Sequence, residues 1–342
     1  MKYELALTYD DIQLVPRFSN IESRQYISLK TKISKNYSIH APIIASPMDT
    51  ICESEMVIKL MQYGGTGCIH RFCSIDYQVQ QIKEVKYYQD TFIKVKQPII
   101  AAIGATNDYF KRAQSLVKAG AEILIIDVAH GHHEYVKRAL DKLKSNMPKH
   151  VDIIAGNIAT QESAKDLENW GADGLRVGIG GGSLCTTRIK TGFGIPNVTS
   201  IINCTEDINI PVIADGGIRS SGDIAKAIAV GADCVMLGSL LSGTTETPQD
   251  KIETDNGIFK EYRGMASAET KMKHNTHIRN VEGMSTLIPY KGSCATILDD
   301  LLDGLRSALS YSGSSNIPEY TAKTNFVRVT NAGIVESKPH LL

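Results

Sequence analysis

The stretch "EILIIDVAHGHHEYVKRALDKLKSNM", residues 122–147, contains the unit from which the rest of the chain is built. It begins with a short apolar run rich in isoleucine that ends at Asp127, and apolar residues then recur with helical spacing. An apolar run without alternation is typical of a strand buried on both faces, and the segment after it predicts the helix that covers one face. We interpret this stretch as one strand and one helix of a parallel sheet.

Such apolar runs recur along the chain. Eight of them begin at Pro42, Gly65, Pro98, Glu122, Val151, Gly174, Pro211 and Asp233. Helical segments follow, and several end in glycine, which is a helix stop signal. Eight strand and helix units favour a closed barrel over an open doubly wound sheet, because the commonest open sheets have five or six strands. We expect an α/β fold, a (β/α)8 TIM barrel, that forms a single catalytic domain over residues 1–342.

A polar segment at residues 243–292 separates the eighth run from the last helical segment, residues 294–313. It carries few periodic signals. A long insertion after the eighth strand is typical of a lid over the active site of a barrel, so we expect these residues to form a flap.

The composition argues against several classes of function. Lys plus Arg and Asp plus Glu both total 37, so the net charge is zero and no global field attracts nucleic acid or an anionic membrane. No apolar run is long enough to span a bilayer and the chain does not start like a signal peptide, which predicts a cytoplasmic location. The seven cysteines lack paired C-x-x-C spacing, so we expect reduced thiols and no zinc site.

Polar residues and glycines follow six of the eight runs, where TIM barrels carry their reacting groups. They include Ser46, Met48, Asp49, Asp127, His130, Asn157, the loop 178–185, the turn 215–217, Gly238 and Ser239. Any one of these residues could simply cap the next helix. Six strand ends with this character together indicate an active site.

The loops after the seventh and eighth runs, "ADGGIRSSGDIAKA" and "MLGSLLSG", resemble phosphate sites, in which glycine N–H groups and a helix N-terminus face the ligand. Asp215, just before the glycines, is placed to accept hydrogen bonds from a ribose diol. The pattern favours a nucleotide, and the alternative for each loop alone is a tight turn with a helix cap.

The loop after the sixth run reads "GIGGGSLCTTRIKTGFG", residues 178–194. Most lone cysteines only pack, but Cys185 lies at a catalytic strand end, next to hydroxyls of Thr186 and Thr187 that can relay protons. We interpret it as a nucleophile for an electrophilic ring carbon. The carbonyls of this glycine loop could also coordinate a monovalent cation.

Two other patterns are weaker. The loop is not a dinucleotide fingerprint, because it neither opens a helix at its glycines nor precedes an acid about twenty residues later. His130, His132 and His133 lack acidic or cysteine partners at metal-site spacing, which favours a solvated loop or a cofactor contact over a metal.

Motifs along nearly the whole chain occur in a familiar order: "LTYDDIQLVP", "ASPMDT", "IDVAHGH", "AGNIAT", "VGIGGGSLCTTR", "PVIADGGIR", "VMLGSLLSGTTETP", "EYRGMAS" and "VEG" with "PYKG". They resemble the motifs of the inosine monophosphate (IMP) dehydrogenase and guanosine monophosphate (GMP) reductase family. The resemblance implies a cysteine that attacks C2 of a purine nucleotide and a hydride that passes between C2 and a nicotinamide cofactor. A homotetramer is also typical of this family.

The resemblance implies roles for single residues. Cys185 is the nucleophile, and Thr187 and the flap residue Glu282 handle protons. The substrate-binding residues are Ser46, Met48, Ser183, Asp215, Gly216, Gly217, Gly238, Ser239, Tyr262, Gly264, Met265 and Ala266. The cofactor-binding residues are Asp127, Asn157, Arg176 and Gly178. Potassium would bind the carbonyls of Gly180, Gly182 and Cys185, with Glu336 reaching the site of a neighbouring subunit.

The flap favours the reductase, which converts GMP to IMP and ammonia with NADPH. The segment 264–283 lacks the Arg-Tyr pair with which the dehydrogenase activates water, and "IKTGFG" after "CTTR" resembles reductases. The short link between the second and third strands leaves no room for the regulatory CBS module usual in dehydrogenases.

Two alternatives stay open. "ASPMDT", "YRGM" and the tail "NAGIVESKPH" resemble the dehydrogenase, which oxidises IMP with NAD and water. A catalytically silent purine nucleotide-binding protein is the second alternative.

Overall fold

Eight parallel strands close a barrel in the computed structural model, which describes residues 4–265 and 283–339. The strands are β1 (Ile43–Ala45), β2 (Thr66–Ile69), β3 (Ile100–Ile103), β4 (Ile123–Asp127), β5 (Asp152–Ile158), β6 (Gly174–Val177), β7 (Val212–Asp215) and β8 (Cys234–Leu237). Each strand pairs with the next in chain order, and β8 pairs with β1 to close the ring. Each lies within one of the eight runs, so the predicted TIM barrel is confirmed.

Helices cover the outside of the barrel. They are α1 (Ser54–Gln62), α2 (Ile75–Phe92), α3 (Tyr109–Ala119), α4 (Glu134–Asn146), α5 (Gln161–Asn169), α6 (Asn197–Thr205), α7 (Ser221–Ala229) and α8 (Ala295–Tyr311). Local signals set several helix ends. The Ser220 hydroxyl accepts the amide of Asp223 at the start of α7, and α3 ends at Gly120 with a left-handed φ of 118°.

The strands are mostly apolar because both of their faces are buried. In β4, Ile123 and Ile125 point into the barrel, while Leu124 and Ile126 pack in the layer between strands and helices. Ile33 and Ile39, from an N-terminal hairpin, belong to the interior cluster as well. Burial of each such side chain contributes about 1.5–3 kcal/mol, so eight doubly buried strands account for much of the driving force for folding.

The insertion after β8 contains a three-stranded antiparallel sheet, which the sequence analysis did not predict. Its strands are Ile252–Thr254, Gly257–Arg263 and Ser285–Pro289. Most positions of the first and third strands are exposed or half-buried, so an apolar alternation is missing. Lys260 ties the sheet to the buried first residues of the insertion, since its ammonium donates to the carbonyls of Thr244 and Thr247 at 3.0 and 2.7 Å.

The remaining elements lie near the chain ends and between β2 and β3. Ile12–Leu14 pairs with Phe326–Arg328, and two short helices follow α8 at Ile317–Lys323 and Asn331–Glu336. Between β2 and β3, α2 is the only regular element. None of the helices in residues 4–265 and 283–339 is both long and apolar enough to cross a membrane.

We expect Asp233→Asn to stabilise the fold at neutral pH. Asp233 is half-buried just before β8, where its carboxylate accepts the amide of Val212 at 2.8 Å, and its partial burial raises its pKa to about 6. This pKa lies above that of an unfolded aspartate. The contribution of the Asp233 carboxyl group to the free energy of unfolding is therefore complete below about pH 4 and is lost as the pH rises through about 6. The neutral Asn side chain keeps an acceptor and avoids this loss.

The measurement is the Tm at pH 7.5 and at pH 4.5. We expect a rise on the order of 2–4 °C at pH 7.5 and a smaller one at pH 4.5. Asp300→Asn, on the exposed face of α8, serves as the control. Equal gains at the two pH values would contradict the assignment.

Candidate active site

The loops at the C-terminal ends of the strands surround a cavity of about 530 Å³, a size typical of small-molecule sites. The predicted residues that line it are Ser46, Met48, Asp127, Asn157, Arg176, Gly178, Gly180, Gly182, Ser183, Cys185, Thr187, Asp215, Gly216, Gly217, Gly238, Ser239, Tyr262, Gly264 and Met265. Glu336 ends a C-terminal helix and does not line the cavity within this chain. Ala266 and Glu282 lie outside the described residues.

A buried arginine organises one wall of the cavity. Arg176, on β6, forms an ion pair with Asp127 of β4 and places Nε and Nη2 at 3.0 and 2.9 Å from Oδ2 of Asp215 on β7. Burial lowers the pKa of Arg176, but the charges of Asp215 and Asp127 outweigh it and leave the pKa above its ordinary value. The guanidinium is therefore permanently charged and fixes both carboxylates.

The loops after β5, β6 and β7 approach each other closely around Asp215. Nδ2 of Asn157 donates to Oδ2 of Asp215 and to the carbonyl of Gly178, both at 2.7 Å. A Cβ atom at Gly178 would lie 2.0 Å from the Asp215 carbonyl oxygen, so only glycine fits. Within residues 4–265 and 283–339, Oδ1 of Asp215 accepts no hydrogen bond and is available to a ligand hydroxyl.

The loop that carries Cys185 wraps around one arginine side chain. Arg188 donates to the carbonyls of Ile179 and Ile195, and a Cβ atom at Gly180, where φ is 74°, would lie 2.6 Å from the Arg188 side chain. The loop continues into the short helix Thr187–Thr191. Glycine is thus needed where the backbone passes over the arginine.

Cys185 is half-buried at the edge of the cavity, where its thiol donates to Oγ1 of Thr187 at 3.1 Å. The other hydroxyl of the pair, Thr186, directly precedes the short helix and does not line the cavity. A thiol bonded to a hydroxyl in a ligand-sized cavity has the geometry of a nucleophile with a proton acceptor.

Another part of the cavity lining presents neutral donors. The hydroxyls of Ser183 and Tyr262 lie 3.1 Å apart, and Gly217, Gly238 and Ser239 line the same region. Burial raises the pKa of Tyr262, and the charge of Asp215 adds to this effect, so the phenol stays protonated. Neutral hydroxyls and backbone amides of this kind suit a phosphate group.

The insertion closes onto the cysteine loop through the backbone. Gly283 and Cys185 form an antiparallel bridge, and the amide of Met284 donates to the carbonyl of Leu184 at 3.1 Å. The amide of Gly264 donates in turn to the carbonyl of Met284 at 2.8 Å. The nucleophile is therefore held between the barrel and the insertion.

Comparisons with known proteins agree with these observations. A family model described as the IMP dehydrogenase / GMP reductase domain matches residues 6–340. The inosine-5'-monophosphate dehydrogenase of Cryptosporidium parvum is 37% identical, with 98% of this chain and 95% of that protein covered. The GMP reductase of Leishmania donovani is 31% identical, with 98% and 96% covered. The chain belongs to the IMP dehydrogenase / GMP reductase family.

A solved structure adds a comparison of the fold. The crystal structure of a GMP reductase variant from Trypanosoma brucei, in complex with guanosine 5'-monophosphate, has a TM-score of 0.93 and 29% identity, covering 99% of this chain and 98% of that one. Members of the IMP dehydrogenase / GMP reductase family are nicotinamide-dependent oxidoreductases that bind purine mononucleotides. The predicted family and enzyme class are confirmed, whereas the roles of single residues stay predictions.

Within one chain the potassium prediction concerns backbone oxygens, and Glu336 of a neighbouring subunit is its one side-chain ligand. Carbonyl groups of the 180–185 loop have the donor chemistry that potassium prefers, and Gly182 already accepts the amide of Cys185 at 3.1 Å. Potassium binding therefore stays a prediction. Among the described residues, no group of three His, Cys, Asp or Glu side chains could hold a metal.

The three histidines are accounted for locally. Nδ1 of His133 accepts the amide of Tyr135 and caps α4, while His132 pairs with Asp166 at 2.8 Å. Burial, together with the other two histidines, lowers the pKa of His130. His132 and His133 therefore have structural partners, and the absence of a metal at this cluster stays a prediction.

The sequence analysis missed two residues that line the cavity near Asp127. Arg71 and Phe72 follow β2 and line it, with the guanidinium 4.7 Å from the centre of the Phe72 ring. Arg71 also donates to the carbonyl of Asp127 at 3.2 Å. Their position just after a barrel strand is the sequence feature that could have identified them as site residues.

Asn197 is a third missed residue, and it braces the turn after β7. From α6, its Nδ2 donates to the carbonyls of Asp215, at 3.0 Å, and Gly216. Nothing in its local sequence indicates this role, because the contact arises only when α6 packs against the barrel.

We expect Gly178→Ala to weaken nucleotide binding. The added Cβ forces the Asp215 carbonyl away and moves the carboxylate that faces the cavity. A displacement near 1 Å can reduce function about 100-fold, so we expect the Kd for GMP in isothermal titration to rise by at least about tenfold.

Gly222→Ala is the matched control for this substitution, because its Cβ meets only the Ser220 hydroxyl at 3.6 Å in α7. It should leave the Kd unchanged. If Gly178→Ala also binds GMP normally, the close approach to Asp215 does not shape the site.

Proposed function

We propose that this protein is a GMP reductase that converts GMP to IMP and ammonia with NADPH. The observation that carries the proposal is the backbone bridge between Cys185 and Gly283. Gly283 directly follows Glu282 in the sequence, and its backbone is paired with that of Cys185. The inserted sequence 264–283 has this carboxylate and lacks the Arg-Tyr pair that would activate water.

The cavity offers matching groups for a purine mononucleotide. Ser183, Tyr262 and the glycines of the β7 and β8 loops would hold the phosphate, and Oδ1 of Asp215 would accept from the ribose diol. Met48 and Met265 line the cavity and would pack against the base. The purine C2 atom would then face Cys185.

The first step removes the amino group. Sγ of Cys185 forms a bond to C2 while its proton passes to Oγ1 of Thr187, which is already its hydrogen-bond partner. The bond from C2 to the amino nitrogen then breaks, and ammonia leaves with a proton that Thr187 and Glu282 supply. The purine stays attached to Cys185 as a thioimidate.

The second step reduces C2. NADPH, when bound, supplies the hydride. C2 accepts it as the carbon–sulfur bond breaks and the thiolate of Cys185 returns. In total, GMP, NADPH and two protons give IMP, ammonium and NADP+, so atoms and charges balance.

The residues beside Cys185 fit a nicotinamide ring and its carboxamide. Asp127, Asn157, Arg176 and Gly178 form a polar wall, and Arg71 with Phe72 extends the cavity beyond it. These residues would bind and orient the cofactor over C2. They would also exclude water, which would otherwise hydrolyse the thioimidate and give the dehydrogenase product.

The second candidate is IMP dehydrogenase, which oxidises IMP with NAD and then hydrolyses the intermediate. Sequence identity favours it, since the dehydrogenases of Cryptosporidium parvum and Borreliella burgdorferi are 37% identical to this chain and the Leishmania donovani reductase is 31% identical. We favour the reductase because the chemistry depends on the flap. The homotetramer, the cytoplasmic location and the preference for NADPH are part of the same proposal.

A paired assay tests the reaction. We expect NADPH absorbance to fall with GMP, and no NADH to form from IMP and NAD. If NADH forms from IMP and NAD and no NADPH is consumed with GMP, the protein is the dehydrogenase. If the absorbance changes in neither assay, the protein is a nucleotide-binding protein. Cys185→Ala should abolish turnover and still bind GMP, whereas retained turnover would refute the nucleophile assignment.

We expect Thr187→Val to lower kcat by about 100-fold or more, because the thiol proton loses its acceptor. The measurement is steady-state turnover of GMP with NADPH. Thr186→Val is the matched control one residue earlier and should change kcat by only a few-fold. Similar losses in both variants would point to damage to the loop and not to proton transfer.

A further inference from the structure

A buried ion pair joins the insertion to the loop after β1. Arg263 places Nε and Nη2 at 3.2 and 2.6 Å from the two carboxylate oxygens of Asp49. The side chains are only 5% and 3% exposed, and neither residue lines the cavity. A forked, two-bond contact of this kind fixes both distance and orientation.

The neighbours of this pair in the chain are cavity-lining residues from two segments, the loop after β1 and the insertion. Met48, which lines the cavity, directly precedes Asp49. Arg263 lies between Tyr262 and Gly264 in the chain. The Tyr262 hydroxyl forms a hydrogen bond with that of Ser183, and the Gly264 amide donates to the carbonyl of Met284, beside the cysteine loop. The ion pair therefore connects the base, phosphate and nucleophile regions through single peptide units.

Further contacts tie both partners to the same two segments. Nε2 of Gln249 donates to the Asp49 carbonyl at 2.7 Å, and the Arg263 amide donates to the Thr50 hydroxyl at 3.4 Å. Nη1 of Arg263 pairs with Glu261 at 2.7 Å. Burial lowers the pKa of Arg263, yet the two carboxylates outweigh this effect and keep it charged.

We propose that Asp49 and Arg263 are positioning residues that hold the loop after β1 and the insertion at the spacing needed for nucleotide binding and turnover. The inference deepens the proposed function and rests on it for the choice of nucleotide. Neither side chain touches the substrate. Their effect passes through Met48, Tyr262 and Gly264.

A purely structural ion pair offers the right comparison. Asp173 is as buried as Asp49, pairs with Lys144 at 2.6 Å and accepts the Ile153 amide at 2.8 Å. It directly precedes β6, at the end of the barrel opposite the cavity. Asp173→Asn therefore removes an equivalent buried charge without touching the nucleotide site.

The experiment compares Asp49→Asn, Arg263→Lys and Asp173→Asn. We expect all three to lower Tm, because each disturbs a buried ion pair. Asp49→Asn and Arg263→Lys should raise the Kd and KM for GMP by about tenfold or more and lower kcat, with the KM for NADPH within about twofold. Asp173→Asn should leave these constants within about twofold of the unmodified protein.

A double variant tests whether the two residues act as a pair. The double variant Asp49→Asn with Arg263→Lys should raise the Kd for GMP little more than the more damaging single substitution does. The reason is that each substitution removes the same contact. If the fold-increases in Kd of the two single variants multiply in the double variant, the two residues do not act as a pair. A fall in Tm with unchanged GMP constants in Asp49→Asn would overturn the positioning role.

The result can be separated from the fate of the proposed function. If the unmodified protein fails to turn over GMP, the proposed function fails. GMP affinity in titration, or IMP affinity if GMP does not bind, still distinguishes Asp49→Asn from Asp173→Asn. Equal affinities in these two variants would then overturn the positioning role on its own.

Discussion

The guanidinium of Arg176 is the interaction on which the site depends. It lies between two carboxylates that belong to β4 and β7, and without it two half-buried negative charges would face the same cavity unpaired. Removing one partner of such a buried cluster usually costs several kcal/mol. The cation therefore makes the acidic wall compatible both with folding and with a nucleotide.

The geometry around this cation then follows from close backbone contacts. Arg176 and Asn157 hold Oδ2 of Asp215, so Oδ1 points to the cavity, and Gly178 must lack a side chain to let the Asp215 carbonyl pass. Asn197 fixes the same turn from outside the barrel. The turn is thus set from three strands and one helix before any ligand binds, which is the preorganisation that binding sites need.

The fold could be read from the sequence because its signal is local and repeated. Each strand is buried on both faces, so a short apolar run marks it wherever it occurs. The strand ends could also be read, since polar residues there have no role in the core. These two patterns, with the family motifs, were enough to locate Cys185, Asp215 and Arg176 in one cavity.

What could not be read depends on packing between distant segments. Asn197 lies inside an ordinary helix, and the pair of Asp49 and Arg263 spans two segments far apart in the chain. The insertion was expected only as a flap, because its sheet lacks an apolar alternation. Such contacts produce no repeating pattern in the sequence and are seen only in the three-dimensional structure.

The backbone bridge between Cys185 and Gly283 has a consequence for how such enzymes diverge. The barrel supplies the nucleotide site and the thiol, whereas the insertion supplies what meets the bound purine next. A chain that rewrites some twenty residues between Gly264 and Gly283 can therefore exchange one leaving group or acceptor for another with its scaffold intact.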